Sequence, residues 1–511
     1  MKENYEMPPV SLLDQPKETR SEDVNYLDQA KATLQAILDS HGIDGMVCNT
    51  VVGPRVTRFE IDLQPGVRLE KVTPILNHIA ENMRVKRIRV LAPVPGSDKV
   101  GIELPNQVSN QVCLRELMES DAWRETKAEI PFFLGKDTDG NVKIADLSKA
   151  PHMLVAGATG SGKSVFINTL ITSLLYRFAP DELKLILIDP KYVEFDVWRP
   201  LPHLITPVVN DPTQVPCILR WALEELEYRY RVMAQVHAKN LRDFNARPQK
   251  SEPIMDESGK PVPQKLPRLI IIIDELSDMM RSDVRNEVET LICRIAQKGR
   301  AAGIHLVIST QVPSKDVITG IINANLPTRL AFQVFQERDS RVILDSPGAE
   351  KLLGRGDMLF KIPGGEPERI HGVMVSDPEI QKISDFVSSQ VEQHFDTTAV
   401  LKNQDGEEPD DGQNSFSDFE PDEDEPDDYI KVTVDKYLQP GDDEDMRKAV
   451  EVILRESRAT TSYLQRRLGI GYNKASEIMD KLEQRGIVSA PLPGGQKRNI
   501  LILDEIDRQC E

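Results

Sequence analysis

The stretch from Gly157 to Ser164 has the residue types and the spacing that bind the phosphates of a nucleotide. It fits the pattern G-x-x-x-x-G-K-[ST], in which glycines let successive backbone N–H groups point at phosphate oxygens. The pattern predicts that Lys163 reaches the β and γ phosphates of ATP and that the Ser164 hydroxyl holds Mg²⁺. The predicted nucleotide-binding residues are Gly157, Ala158, Thr159, Gly160, Ser161, Gly162, Lys163, Ser164 and Val165.

An acidic pair follows a second apolar run, in the segment RLIIIIDELSDMM. Asp274 stands where a second carboxylate would orient Mg²⁺ and its waters, so we predict it as a metal residue. Glu275 is the better general base, because it can face the γ-phosphate and polarise an attacking water. The alternative interpretation is that the two acids only end a strand and cap a helix.

Two further residues fit a hydrolytic site. Gln311 ends the apolar run in HLVISTQVPS, where it would contact the γ-phosphate or the water, unless it is an ordinary polar strand end. A ring-forming ATPase needs a cation from the neighbouring subunit to stabilise transition-state charge. We predict Arg300 in that role, with Arg329 and Arg341 as the next candidates and a solvated or structurally paired arginine as the alternative.

These residues need a scaffold that brings the ends of several strands together. MLVA before the glycine-rich loop is typical of a buried strand, and SVFINTLITSLLYRF after it of a helix. Further apolar runs (LKLILID, RLIIIIDE, IHLVIST, TRLAFQV) predict an α/β domain over residues 126–395, with a parallel sheet covered by helices. Residues 1–125 predict a smaller α+β domain, with a helix at NYLDQAKATLQAILDSHGI and strands at RVTRFEIDL and RVKRIRVLAP.

The net charge of −19 conceals two segments of opposite character. Residues 405–428 hold 13 acidic residues and no Lys or Arg, so we predict a disordered acidic linker over residues 396–442. Residues 446–500 carry 11 Lys and Arg against 5 Asp and Glu. A small basic domain, residues 443–511, therefore follows the linker.

The basic domain has the pattern of a winged helix-turn-helix. TTSYLQRRLGIGYNKASEIMDKLEQRGIV reads as two helices around a glycine turn, and SAPLPGGQKRNILIL as a hairpin. In that geometry the start of the second helix meets base edges, whereas basic residues elsewhere contact phosphates. A protein-docking role is the alternative. The predicted DNA-binding residues are Tyr472, Asn473, Lys474 and Glu477 for bases, and Arg466, Arg467, Lys497 and Arg498 for phosphates.

The motifs together resemble those of the FtsK/SpoIIIE family of DNA-pumping motors. The resemblance rests on long stretches such as PHMLVAGATGSGKSVFIN, LIDPKYVEFDVW, AQKGRAAGIHLVISTQ and GAEKLLGRGDML. It implies a RecA-like P-loop NTPase motor, the β domain, assembled as a homo-hexamer around double-stranded DNA. It also implies that residues 1–125 are the α domain and residues 443–511 the γ domain, which can contact a site-specific recombinase.

Five widely spaced cysteines argue against zinc or disulfides, and no apolar run approaches the roughly 20 residues that span a bilayer. We predict a cytoplasmic location for the sequence as given, and the membrane at the division site if it is part of a longer family member. The leading hypothesis is an ATP-dependent DNA translocase for chromosome segregation at cell division. A DNA-binding regulator switched by ATP and a protein-secreting ATPase are the alternatives.

Overall fold

The computed structural model describes residues 5–396, except 17–21, 66, 68–70, 95, 249–253 and 257–260, and then residues 445–450, 464–465, 470, 472–485 and 487–489. The chain forms two compact units, Met1–Glu407 and Glu408–Glu511, and each is described by itself. The predicted linker, residues 396–442, lies outside the described residues except for Asp396.

The larger unit begins with a four-stranded antiparallel sheet in the order β1-β2-β4-β3. Helix α1 (Val24–Ser40) packs on β1, with its apolar face in the core of this sheet, and α2 (Leu76–Asn82) also lies in this part. The strand predicted in the segment RVKRIRVLAP is confirmed as β3, although it covers only three residues of that segment. The strands are β1 Gly45–Val52, β2 Val56–Leu63, β3 Arg89–Leu91 and β4 Val100–Pro105.

A second sheet of ten strands dominates the larger unit, in the order β7-β6-β14-β13-β12-β8-β11-β10-β9, with β5 paired to β14. Because β5 already belongs to this sheet, the sheet begins before residue 126, whereas the domain boundaries themselves stay a prediction. The strands are β5 Val112–Cys113, β6 Pro131–Asp137, β7 Val142–Asp146, β8 His152–Ala156, β9 Leu183–Ile188, β10 Arg268–Ile273, β11 Ile304–Thr310, β12 Thr328–Phe332, β13 Asp357–Lys361 and β14 Glu368–Met374.

The centre of this sheet is parallel and one side of it is antiparallel. Strands β12, β8, β11, β10 and β9 run parallel, as predicted from their apolar runs. Strands β13, β14, β6 and β7 pair antiparallel, which the sequence analysis did not predict. The connections β6–β7 and β13–β14 are too short to hold a crossover helix, so each pair folds back as a hairpin.

Helices cover both faces of the parallel strands, because alternate strand residues point to opposite sides. On β8, Met153 and Val155 enter one apolar cluster with α5, whereas Leu154 and Ala156 enter the other with α6 and α9. The helices are α3 Leu114–Met118, α4 Asp121–Arg124, α5 Lys163–Leu175, α6 Val215–Gln235, α7 Leu241–Ala246, α8 Leu276–Met280, α9 Arg285–Ala302, α10 Gly320–Asn325, α11 Glu337–Leu344 and α12 Asp377–Ser388.

The smaller unit contains the predicted second helix of the basic domain, α13 (Tyr472–Gln484). The apolar residues Ala475, Ile478, Met479 and Leu482 recur at helical spacing along this helix, and all four are buried. They share an apolar cluster with Met446, Leu464 and Ile487, among others, so this unit has a core of its own. The predicted hairpin, which contains Lys497 and Arg498, and most of the predicted first helix lie outside the described residues.

Candidate active site

The predicted catalytic segments meet at one edge of the large sheet. The glycine-rich loop, residues 157–164, follows β8; the acidic pair follows β10; and Gln311 follows β11, which lies between these two strands. All three strands are parallel, so their carboxyl ends lie side by side. Ligands of open α/β sheets bind at this edge, which makes it the candidate active site.

The glycine-rich loop is fixed by contacts that only glycine permits. Gly160 and Gly162 have positive φ angles of 74° and 115°, and helix α5 begins directly afterwards at Lys163. A Cβ on Gly162 would lie 2.4 Å from the Gly356 nitrogen, and that same nitrogen donates a hydrogen bond to the Ser161 carbonyl at 2.8 Å. The turn at Gly356 therefore holds the loop whose N–H groups, with the start of α5, are predicted to bind phosphate.

Lys163 connects the loop to the acidic pair. Its Nζ donates to the Asp274 carboxylate and to the Asp274 carbonyl, both at 2.7 Å, and to the Ser309 hydroxyl at 3.2 Å. The Lys163 side chain is 3% exposed and that of Asp274 1%. This buried cation lies at the start of α5, beside the loop that is predicted to bind phosphate.

Two oxygen atoms fit a magnesium ion. The Oδ2 atom of Asp274 is buried and accepts no hydrogen bond from the part of the chain that the structure describes. The hydroxyl of Ser164 donates to the Oε1 atom of Glu194 at 2.8 Å. Mg²⁺ binds carboxylate and hydroxyl oxygens and keeps several waters, so Ser164 and Asp274 fit the metal as predicted.

Glu194 was not predicted from the sequence, although it lies in the quoted motif LIDPKYVEFDVW. Asp189, directly after β9, folds this segment: its Oδ2 accepts backbone N–H bonds from Val193, Glu194 and Phe195 at 2.8–3.2 Å. The turn thereby places the Glu194 carboxylate against the Ser164 hydroxyl. Neither Asp189 nor Glu194 has a recognised spacing to the glycine-rich loop, so only the fold identifies them.

Glu275 is held in one orientation by four neighbours. Its carboxylate accepts from the Thr310 hydroxyl at 2.7 Å, from the Gln311 backbone N–H at 3.1 Å, from Lys191 Nζ at 3.1 Å and from the Ser277 backbone N–H at 3.3 Å. The bond to Ser277 also caps α8, so the capping interpretation is confirmed, and the catalytic role stays a prediction that this cap does not exclude. A fixed carboxylate at this position is what orientation of a water requires.

The ionisation of Glu275 suits a general base. Burial acts to raise its pKa, but hydrogen bonds from Thr310 and Ser277, the charge of Lys163 and the bond from Lys191 lower it below the ordinary glutamate value. A carboxyl with a lowered pKa stays ionised at neutral pH, and it loses its charge only when the pH falls below the usual glutamate range. Glu275 is therefore ready to accept a hydrogen bond from water.

Gln311 contacts the glycine-rich loop directly. Its Oε1 accepts a hydrogen bond from the Thr159 hydroxyl at 2.8 Å, and its backbone N–H donates to Glu275. The residue thus joins the phosphate-binding loop to the carboxylate that we predict to activate water. The sensor role of Gln311 stays a prediction, and these contacts place the residue where that role requires it.

The three candidate arginines lie in different environments. Arg300 is exposed near the end of α9, beside the start of β11 and so at the opposite edge of the sheet from the glycine-rich loop. The seven residues of β11 separate it from the site of its own chain by about 20 Å. Arg329 is buried and donates to the backbone carbonyls of Leu326, Ile343 and Asn323, a structural role. Arg341 is exposed and pairs with Glu337 at 2.7 Å.

A cavity of about 490 Å³ opens over the glycine-rich loop. It has room for a nucleotide, since ligand pockets usually measure about 300–1,000 Å³. Among the residues that line the cavity, those of the loop and Gln311 were predicted from the sequence, and those from other segments were not. These additional lining residues are Arg55, Ser109, Asn110, Gln111, Val112, Arg355, Gly356, Gly372, Val373 and Met374.

The predicted DNA-binding residues lie in or near the smaller unit's helix, and the structure describes only some of them. Tyr472 and Asn473 are in the first turn of α13. Lys474 forms an ion pair with Asp445, and Glu477 forms one with Lys481 at 2.9 Å. Arg466, Arg467, Lys497 and Arg498 lie outside the described residues.

Comparison with known proteins decides the family. Residues 113–315 match the family model described as "FtsK/SpoIIIE family", residues 7–106 match "FtsK alpha domain", and residues 441–503 match "Ftsk gamma domain". This chain belongs to the FtsK/SpoIIIE family. The resemblance inferred from its motifs is confirmed, and the matched residues 113–315 include the glycine-rich loop and strands β6–β11 of the large sheet.

Curated relatives match along nearly the whole chain. The DNA translocase FtsK of Clostridium tetani is 40% identical over 98% of the chain, and that of Clostridium acetobutylicum is 42% identical over 98%. The chain spans 63% and 60% of the length of these two relatives. Among solved structures, the cytoplasmic domain of the type VII secretion ATPase EccC of Thermomonospora curvata is 24% identical, with a TM-score of 0.49, over 58% of this chain and 36% of that one. No helix in the described part of the chain has the length and apolarity needed to cross a membrane.

Proposed function

We propose that this chain is an ATP-dependent double-stranded DNA translocase that acts in chromosome segregation at cell division. The observation that carries the proposal is the meeting of the glycine-rich loop, Asp274, Glu275 and Gln311 at one sheet edge, in a chain that also matches the gamma domain of its family. The match of nearly the whole chain to DNA translocases argues against a regulator that only switches its assembly state. A protein exporter does not need the basic winged-helix domain predicted at residues 443–511.

Each site residue has a distinct part in hydrolysis. The loop N–H groups and Lys163 bind the phosphates, and Glu275 orients a water toward the γ-phosphate and accepts its proton. Gln311 touches both the loop and Glu275, so loss of the γ-phosphate changes its contacts first. Ser164 and Asp274 would hold Mg²⁺, which would supply positive charge to neutralise the phosphate oxygens.

A ring of six copies is part of the proposal, and in that ring a neighbouring subunit supplies Arg300 to the transition state. Arg300 is about 20 Å from the glycine-rich loop of its own chain and exposed at the opposite edge of the sheet. In a head-to-tail ring this edge can meet the nucleotide of the neighbouring subunit. The exposed Arg341 is the remaining alternative, whereas the carbonyl bonds of buried Arg329 exclude it.

Mixing two inactive variants tests this arrangement. Arg300→Ala and Lys163→Ala subunits should each lose ATPase activity by at least about 100-fold, since arginine fingers contribute about 10³–10⁵. Equal mixtures should recover activity, because some interfaces then pair an intact loop with an intact Arg300. The measurement is DNA-stimulated ATPase at matched total protein, with assembly checked by light scattering. Mixed rings without any recovery would move the trans cation to another residue.

The basic domain supplies direction and loading in this proposal, and force comes from the motor. A chain that ends at residue 440 should keep its duplex-stimulated ATPase activity within about twofold of that of the full chain, because every described catalytic residue precedes residue 396. Preference among duplex sequences should disappear, and each lost base contact is worth roughly 1–3 kcal/mol. Competition between duplexes of different sequence measures this. If residues 443–511 alone bind no duplex at low salt, the domain instead docks a protein, such as a site-specific recombinase.

The cellular setting follows from the family and is also proposed. The acidic segment 405–428 joins the motor to the basic domain as a linker. We place the protein in the cytoplasm, or at the division-site membrane if a longer natural chain carries the anchor. Contact between the gamma domain and a site-specific recombinase is the corresponding partner proposal.

A further inference from the structure

An unusual turn, residues 352–357, forms part of the wall of the nucleotide cavity. Gly354, Arg355 and Gly356 have consecutive positive φ angles of 76°, 50° and 90°. Glycine adopts such angles readily, whereas a side-chain-bearing residue is destabilised there by contact between Cβ and the backbone. Strain of this kind persists where the surrounding structure enforces it, and it concentrates at functional sites.

The surrounding structure holds this turn from three directions. Arg55, from the loop between β1 and β2, donates from one Nη1 to the carbonyls of Gly354 and Arg355, both at 2.8 Å. On the motor side, the Gly356 nitrogen donates to the Ser161 carbonyl. The turn therefore cannot relax without disturbing the phosphate-binding loop.

The third anchor is a buried ion network below the turn. Arg369 pairs with both carboxylate oxygens of Asp357, the last residue of the turn, and also with Glu103 of β4 at 2.6 Å. The side chains of all three are at most 3% exposed. The network connects the turn to the antiparallel sheet of the same unit. Because Asp357 and Glu103 already pair with Arg369, they do not form ion pairs with the arginines of the turn and its neighbouring loop.

Arg355 and Arg55 thus face the cavity as neighbouring positive charges. Burial lowers the pKa of Arg55, the charges of Arg369 and Arg355 lower it further, and Asp357 opposes them. Arg355 is exposed and forms no ion pair with any carboxylate in the described part of the chain. Two guanidinium groups beside a phosphate-binding loop are an anion-binding arrangement.

We propose that Arg355 binds the phosphates of the nucleotide held by the glycine-rich loop of the same chain, with Arg55 as the positioning residue that holds its turn. The inference rests on nucleotide binding at that loop, but not on DNA translocation. It assigns the antiparallel sheet a direct part in the nucleotide site, because Arg55 belongs to that sheet's own hairpin.

Replacement of Arg355 by glycine separates the strain from the charge. Arg355→Gly removes both the strained Cβ and the guanidinium, so the melting temperature should rise by a few degrees while the Kd for a fluorescent ATP analogue rises by about tenfold or more. Arg355→Lys keeps the strain and the charge, so its melting temperature should stay near that of the unaltered chain and its Kd within about threefold.

The chain provides a matched control in Arg84, an exposed arginine with φ 53° that follows α2 and does not line the cavity. Arg84→Gly should raise the melting temperature similarly and leave the Kd unchanged. An unchanged Kd for Arg355→Gly would overturn the inference. If Arg355→Gly instead lowers the melting temperature, the Kd of Arg355→Lys for the ATP analogue decides the matter. A Kd within about threefold of the unaltered chain supports phosphate binding by Arg355. A Kd that rises as much as that of Arg355→Gly contradicts it. An unaltered chain that binds no nucleotide would overturn the site itself, and the inference with it.

Discussion

Lys163→Ala is expected to lose nucleotide binding by at least about 100-fold and ATP hydrolysis with it. Two effects combine, because the variant loses the cation that meets the phosphates and leaves Asp274 buried without its partner. Uncompensated negative charge then remains at the place where the nucleotide's own negative charge must enter. The measurement is the Kd of a fluorescent ATP analogue, together with ATPase in saturating duplex DNA.

A control for folding is needed, since breaking a buried ion pair typically costs about 3–5 kcal/mol. Lys191→Ala also takes a partner from a buried carboxylate, Glu275, but Lys191 does not line the nucleotide cavity, so this variant should retain nucleotide binding. A folded Lys163→Ala variant with the ordinary Kd would show that the nucleotide binds elsewhere.

Glu275→Gln is expected to bind ATP as tightly as the unaltered chain and to hydrolyse it about 10²–10⁴ times more slowly. Glutamine has the same shape, and one oxygen can still accept the bonds from Thr310 and the Gln311 backbone. It cannot accept a proton from water, so only the chemical step fails. Single-turnover hydrolysis and analogue binding, measured on the same sample, separate the two steps.

Asp278→Asn is the matched control for this variant. Asp278 is a half-buried carboxylate three residues along the chain, in α8, and it has no contact with the glycine-rich loop. The Asp278→Asn variant should keep its ATP turnover within about twofold of that of the unaltered chain. If Glu275→Gln also keeps its turnover, another group activates the water, and Glu194 beside Ser164 is then the next carboxylate to test.

The sequence was sufficient where one local pattern carries the chemistry. The glycine-rich loop, the acidic pair and the helix after the loop are contiguous motifs, and the apolar face of α13 follows helical spacing. Their placement at one sheet edge also follows, because parallel strands with polar residues at their carboxyl ends meet there.

The remaining parts of the site depend on contacts between distant segments. Arg55 and Arg355 are 300 residues apart and adjoin only because β2, β4 and β14 bring their turns together. Glu194 reaches Ser164 through a turn that Asp189 folds. The antiparallel hairpins could not be predicted from the sequence pattern either. A short apolar strand has the same pattern whether its partner runs parallel or antiparallel. Propensity and periodicity describe residues that are close along the chain. The contacts of Arg55, Arg355 and Glu194 and the pairing of the hairpin strands depend on residues that are close only in the folded structure.

The most direct test of DNA translocation is displacement of a triplex-forming strand from duplex DNA by the full chain. A motor that moves along the duplex removes the third strand in its path, whereas binding alone leaves the triplex intact. We expect displacement that requires ATP, with Glu275→Gln binding both ATP and the duplex but displacing nothing. DNA-stimulated hydrolysis without displacement would contradict translocation and favour an ATP-switched regulator. ATP hydrolysis that duplex DNA does not stimulate would also contradict DNA translocation, and it would favour a protein exporter.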